Sequence, residues 1–230
     1  MQIISTIRGN ISLEIYSRYY PAIELLTQFM RSSMPESMSE LGAPQNVIDR
    51  AKKIKLILMD VDGTFTDGRV FYFPDANGKM TEFKAFSSHD GLAAHFCTAV
   101  GIKTGFISGL KSPAVEERAR ILNITYVKQG HLEKDKVFDE VLADAKLTPD
   151  QVAFIGDDFT DLSLIMRSGL GCAVSDARKE VRLNADYVTQ ASGGQGAFRE
   201  VVELILKSQS LWKTILEKYK VPQHKSSIGF

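Results

Sequence analysis

Cysteine is nearly missing from this chain of 230 residues: Cys97 and Cys172 are the whole complement. Each falls in an apolar-patterned segment, so both read as small buried hydrophobes, not a disulfide framework or a metal site. Charge of one sign is also lacking. Lys plus Arg and Asp plus Glu each number 28, and a net charge of zero gives no basic excess to attract nucleic acid. No apolar run reaches the roughly 20 residues that a membrane helix needs, so no membrane partner is expected. The N-terminus, MQIISTIRGNISLEIYSRYY, has no unbroken apolar stretch of the signal-peptide kind, because Arg8, Asn10 and Glu14 interrupt it. The expected compartment is the cytoplasm. No internal repeat and no low-complexity tract occurs.

What is present is enough apolar material for a core, 44% of residues, in a chain long enough for one good-sized domain. Residues 1–50 stand apart. Ile3, Ile7, Ile11 and Ile15, then Ala22, Leu25, Leu26 and Phe29, have helical or mixed patterning, and RSSMPESMSELGAP (31–44) reads as a linker. This extension is either a peripheral arm or a partner-binding helix. From Lys53 on, short apolar runs alternate with amphipathic segments. Strands are expected at 54–60, 102–108, 124–127, 151–157, 171–175 and 186–189. Helices are expected at 89–100, 112–122, 133–146, 159–168, 177–183 and 196–218. Ser112-Pro113 places an N-cap before a proline at the first helical position. The alternation predicts an α/β fold with an open, mostly parallel sheet and helices on both faces. One stretch breaks it: RVFYFPDANGKMTEFKAF (69–86) has two β-prone halves around Asp75–Gly78 and reads as a β-hairpin. The expected domains are 1–50, 51–210 and a helix end with a polar tail at 211–230.

In such sheets ligands collect at the carboxyl ends of the strands. The run Leu56–Met59 drives straight into Asp60, and Asp62 follows two places later. Two carboxylates this close repel, so a cation or a shared proton is implied. Magnesium favours such hard oxygen ligands and leaves places for water and phosphate. The strand at 102–108 delivers Ser108-Gly109, a hydroxyl and a permissive backbone N–H. The strand at 151–157 delivers Asp157 and Asp158, with Asp161 one helical turn on. Lys134 and Lys136 open a helix between them, where an ammonium group can neutralise phosphate. Each piece alone has a bland reading: a helix cap, an ordinary turn, a solvated lysine. Their order, at the same end of successive α/β units, argues for chemistry.

In that order the sequence resembles the haloacid dehalogenase superfamily of aspartate-based phosphotransferases. The motifs are DVDGTFTDG (60–68), SG (108–109), a Lys within KDK (134–136) and GDDFTD (156–161). Over about residues 53–210 it is similar to the small 3-deoxy-D-manno-octulosonate 8-phosphate phosphatase group, through the hairpin, SSHDG (87–91), ADYVT (185–189) and SGGQGAFREV (192–201). The resemblance implies that Asp60 is the nucleophile and Asp62 the general acid and base. It implies Mg²⁺ held by Asp60, the Asp62 backbone carbonyl and Asp157. Gly63, Thr64, Ser108 and Gly109 would bind the phosphorylated substrate, with Asp158 and Asp161 orienting ligands and lysine. Lys136 is the expected catalytic lysine because it follows the Asp of the Asp-Lys pair. Lys134 is the rival, since QGHLEKDK runs two residues longer than the group's spacing.

The chain departs from the group at two arginines. Leu110 follows Ser108-Gly109, and Gln195 stands within Gly-Gly-Gln-Gly. Lys111 or Arg199 is the candidate replacement cation. The hairpin takes the place of a cap domain, and capless relatives assemble as tetramers, so a homotetramer is expected. The resemblance thus implies a magnesium phosphatase for a sugar-acid phosphomonoester in cell-envelope or sialic-acid-type sugar synthesis. The alternatives are a phosphatase for another sugar phosphate such as a nonulosonate 9-phosphate, a mutase, or a non-catalytic oligomerising module.

Overall fold

A computed structural model describes residues 42–222. Most of the expected N-terminal extension and the end of the C-terminal tail lie outside those residues. The chain divides after Gln45, near the start of α1 (Gln45–Ala51), and the sheet with its helices belongs to the second unit, from Asn46 on.

The strands of the main sheet are β1 (Leu56–Met59), β4 (Lys103–Ser108), β5 (Tyr126–Gln129), β6 (Val152–Gly156), β7 (Leu170–Ala173) and β8 (Tyr187–Val188). These six are parallel and lie in the order β5-β4-β1-β6-β7-β8. β1, β6 and β7 are buried at every position, which is why they read as continuous apolar runs and not as alternating ones. The connections leave β1 toward β4 and β5, then return to β6 on the other side. Right-handed crossovers then put α2 (Ser88–Val100) and α3 (Pro113–Leu122) on one face, and α4 (Asp135–Ala145), α5 (Leu162–Arg167) and α6 (Lys179–Asn184) on the other. The loops after β1 and β6 part in opposite directions and open a crevice between them.

Helix ends follow their local chemistry. Ser112 is extended and its hydroxyl accepts the Val115 N–H (3.4 Å), the expected cap. Asp90 in α2 is buried, and its carboxylate accepts the N–H groups of Gly196 (3.1 Å) and Arg199 (2.8 Å) at the start of α7 (Ala197–Ser208). That pairs α2 with α7 on the first face.

Two expectations change. The helix at 196–218 is broken into α7 and α8 (Trp212–Lys218). Ser210 adopts φ +59°, and Leu211 N–H turns back to the Leu206 carbonyl (2.8 Å). The break lets the Gln209 amide donate to the carbonyls of Ala51 (3.0 Å) and Ile54 (2.8 Å), ahead of β1. The strand expected at 124–127 lies two residues later, because Thr125 already bonds back to Thr104 before the ladder proper starts. The hairpin is present: β2 (Phe71–Pro74) pairs antiparallel with β3 (Met80–Phe83) as a separate two-stranded sheet. Asp75 organises its turn, accepting the N–H groups of Asn77 (2.8 Å) and Lys79 (3.0 Å).

Candidate active site

Asp60 sits at the first position past β1. Its N–H donates to Ile155 of β6 (3.0 Å), so the nucleophile candidate is held by the central strand and its neighbour together. The chain then turns sharply: the N–H groups of Phe65 and Thr66 both reach the Val61 carbonyl at 2.9 Å. Gly63 takes φ +97°, and a Cβ there would stand 2.3 Å from Asp157 Oδ2. Only glycine lets the β1 loop press against the carboxylate that β6 supplies. The loop 192–196 closes over it. Gly194 N–H donates to the Thr64 carbonyl (3.0 Å), and a Cβ on Gly193 would lie 1.8 Å from the Gly63 carbonyl oxygen.

The lysine that reaches the acids is Lys134. It is buried, and its ammonium group donates to Asp60 Oδ1 and to Asp161 Oδ1 (2.6 Å). Lys136 is exposed, one residue into α4. The expectation for Lys136 is therefore corrected to Lys134: the two-residue longer spacing moves the outward-facing helical position to 136. Asp161 links the pieces, its other oxygen accepting the N–H of Asp157 (3.0 Å) and of Asp158 (3.3 Å). Gly156 makes that possible, since a Cβ there would be 2.4 Å from Asp161 Cβ. Asp158 faces away; it caps the short turn at Phe159 and lies 3.9 Å from Arg178. It does not orient the lysine.

Thr64 is fully buried, its hydroxyl donating to Asp157 Oδ1 (3.0 Å) and its N–H to Val61. The expected phosphate contact from Thr64 gives way to the placing of Asp157. Ser108 ends β4, beside β1, with its hydroxyl accepting the Leu110 N–H (3.3 Å). Leu110 and Gln195 are exposed. Arg199 is not the substitute cation. Its guanidinium stacks on Phe96 (4.3 Å) and pairs with Glu203 (2.7 Å). Lys111 lays its aliphatic stem along Gly130.

Asp60, Asp157 and Asp161 each offer an oxygen within 4.8 Å of the others. Burial, and then Asp161, push Asp60 up to about 7 against the pull of Lys134. Burial pushes Asp157 to about 7 as well, with Asp60 and Asp161 adding to it. Lys134 is raised: burial opposes its charge most strongly, but Asp60 and Asp161 together outweigh it. Three carboxylates against one ammonium leave two negative charges unbalanced when all are ionised. Hard oxygens with that excess suit a divalent cation of the magnesium kind.

One residue that sequence reasoning passed over enters here. Lys84, just past β3, is buried, and its ammonium group pairs with Asp62 Oδ1 and lies 3.6 Å from Glu82 Oε1. Its only sequence signal was a lysine set between Phe83 and Phe86 at the hairpin's exit.

A buried carboxylate at the switch point, clamped by lysine and backed by a second acid on a parallel α/β sheet, fits one class: a phosphomonoester hydrolase. The sequence pattern of the haloacid dehalogenase-like hydrolases matches residues 120–199. The 3-deoxy-D-manno-octulosonate 8-phosphate phosphatase of Yersinia pestis is 38% identical over 164 residues, 71% of this chain and 86% of that relative. The Escherichia coli K12 protein of that name is also 38% identical, over 71% of this chain and 85% of its own length. The crystal structure of the Moraxella catarrhalis phosphatase, in complex with a magnesium ion, a phosphate ion and a 3-deoxy-D-manno-octulosonate molecule, superposes with a TM-score of 0.72 at 35% identity, covering 76% of this chain and 98% of that one. The chain belongs to the haloacid dehalogenase-like hydrolases, in the family of these octulosonate 8-phosphate phosphatases.

Proposed function

We propose that this protein hydrolyses a phosphorylated sugar acid, 3-deoxy-D-manno-octulosonate 8-phosphate or a near relative, through an aspartyl-phosphate on Asp60. The observation that carries the reading is Asp60 itself: buried, fixed by β6, and clamped by Lys134 beside Asp157. An Asp60 oxygen attacks phosphorus as the bond to the sugar oxygen breaks, and Asp62 gives that oxygen a proton. Asp62 then takes a proton from the water that attacks phosphorus, and phosphate leaves as Asp60 is regenerated. Lys134 holds Asp60 in line and offsets charge; Ser108 and the N–H groups of Gly63 and Gly109 face phosphate oxygens. Magnesium, held by Asp60, Asp157 and the Asp62 carbonyl, would supply the positive charge that lets a carboxylate approach a phosphate anion.

Leu110 and Gln195 favour a second reading of the substrate. With neutral side chains at two exposed positions, a less anionic sugar phosphate becomes a competitor; a nonulosonate 9-phosphate, which keeps the carboxylate, is the alternative among sugar acids. Each lost charge-assisted hydrogen bond is a matter of about 1.5–3 kcal/mol. The setting this reading implies is cell-envelope sugar synthesis in the cytoplasm, by a homotetramer joined through its hairpins. The test is phosphate release from a panel of sugar and sugar-acid phosphates, with magnesium or with EDTA, beside Asp60→Asn. Release that needs both magnesium and Asp60 is expected, with a sugar acid turned over fastest. Faster turnover of neutral sugar phosphates would remove the octulosonate assignment, and no release at all would leave an assembly module.

A further inference from the structure

Lys84 takes no part in the chemistry of nucleophile, cation and phosphate. Its side chain has 0% exposure, and an ammonium group is rarely buried so completely unless it is paired. Its partners are carboxylates of opposite standing. Asp62 is 21% exposed, on the loop after β1; Glu82 belongs to β3. Glu82 Oε1 in turn accepts the Ser112 hydroxyl, and Ser112 N–H donates to Gln129 Oε1 (2.8 Å) at the end of β5. The result is a polar chain from the loop after β1, through the hairpin, to the loop after β4 and the end of β5. It has one reactive terminus, Asp62.

We propose that Lys84 is a positioning residue for Asp62. By donating to Oδ1 it fixes the rotamer of the carboxyl group and leaves the other oxygen to pass a proton to the leaving sugar oxygen; Glu82 holds Lys84 in turn, and Ser112 holds Glu82. A carboxylate on a turn, with 21% of its surface in solvent, has several rotamers open to it. An ammonium group locked in the wall behind it selects one. Lys84 itself touches neither substrate nor phosphorus. The inference rests on the reading of Asp62 as acid and base.

Leaving groups separate positioning from simple structural support. An alkyl phosphate expels a strongly basic oxygen and needs the proton; p-nitrophenyl phosphate expels a stable phenolate and does not. The experiment measures single-turnover release of the alcohol from both substrates, at saturating magnesium, for the full chain and for Asp62→Asn, Lys84→Met, Lys84→Arg and Glu82→Gln. Lys84→Met is expected to lose about 10²-fold on the alkyl substrate, within the range for general acid catalysis, and at least about ten-fold less on the aryl one. Lys84→Arg, which keeps charge and reach, should recover part of the loss. Glu82→Gln should show a smaller loss with the same selectivity, which also answers the case where Lys84→Met fails to fold. If Asp62→Asn is selective while Lys84→Met and Glu82→Gln lose both substrates equally, Lys84 merely anchors the hairpin and the inference falls alone. If Asp62→Asn is not selective, the reading of Asp62 falls and takes the inference with it.

Discussion

Two lysines two residues apart divide the roles at the residue scale. Lys134 touches Asp60 and Asp161, while Lys136 faces solvent. Lys134→Met is expected to lower kcat by about 10²–10³-fold, the loss typical of removing one preorganised charge donor, while Lys136→Met stays within about two-fold by the same argument. Steady-state kinetics on the best panel substrate decides it, and a large loss in Lys136→Met with Lys134→Met near wild type would return the role to Lys136. The positions of Asp60 and Asp157 were legible because a carboxylate just past a buried strand has an address: strand end, crevice side. The lysine was legible only as a choice, since residues 130–134 form a loop between β5 and α4 whose path no periodicity records. Thr64 was misread for a related reason. A threonine beside a phosphate motif has the right chemistry, but Gly63 bends the chain so that its hydroxyl meets Asp157. Lys84 was invisible because its partner lies 22 positions away, across a hairpin whose docking the sequence does not encode locally.

Among the elements, the hairpin has the least explanation within one chain. Phe71, Tyr72, Phe73, Met80 and Phe83 are all exposed, Phe73 by 59%. Among the described residues its rings meet only each other, with Phe83 against Phe71 (5.2 Å) and Phe73 (5.4 Å). A small two-stranded sheet with apolar residues on both faces is marginal by itself in water, and a patch of this kind marks a contact surface. Phe73→Glu is expected to convert a tetramer into smaller species in light scattering at micromolar concentration. A wild-type monomer under those conditions would exclude the assembly. Strand and helix positions elsewhere were readable from apolar runs and caps, as at Ser112. The break between α7 and α8 was not, because Lys207–Trp212 keeps helical composition and the turn is imposed by what Gln209 must reach.

For the whole molecule, the crowded acids couple stability to pH and to the cation. Asp60 and Asp157 ionise near 7 when folded, against about 4 for an unperturbed carboxyl. Between those values the folded protein binds more protons than the unfolded one. Its stability without metal therefore falls as pH rises from about 4 to about 7. Magnesium should offset that loss, so its increment in melting temperature is expected to be larger at about pH 8 than at about pH 5. Thermal melts with EDTA and with magnesium at both values check this, and an equal increment would contradict the crowding. The parallel sheet itself was implicit in the alternation of strands and helices; the strand order and the pairing of loops across the crevice were not. That pairing has a consequence for synthesis on the ribosome. Every acid of the site is made by Asp161, yet the β1 loop is walled by Gly193 and Gly194, and Asp90 waits for Gly196 and Arg199. A nascent or truncated chain ending before residue 192 would carry its full complement of acids around an open, unsupported turn, inert until the last stretch emerges.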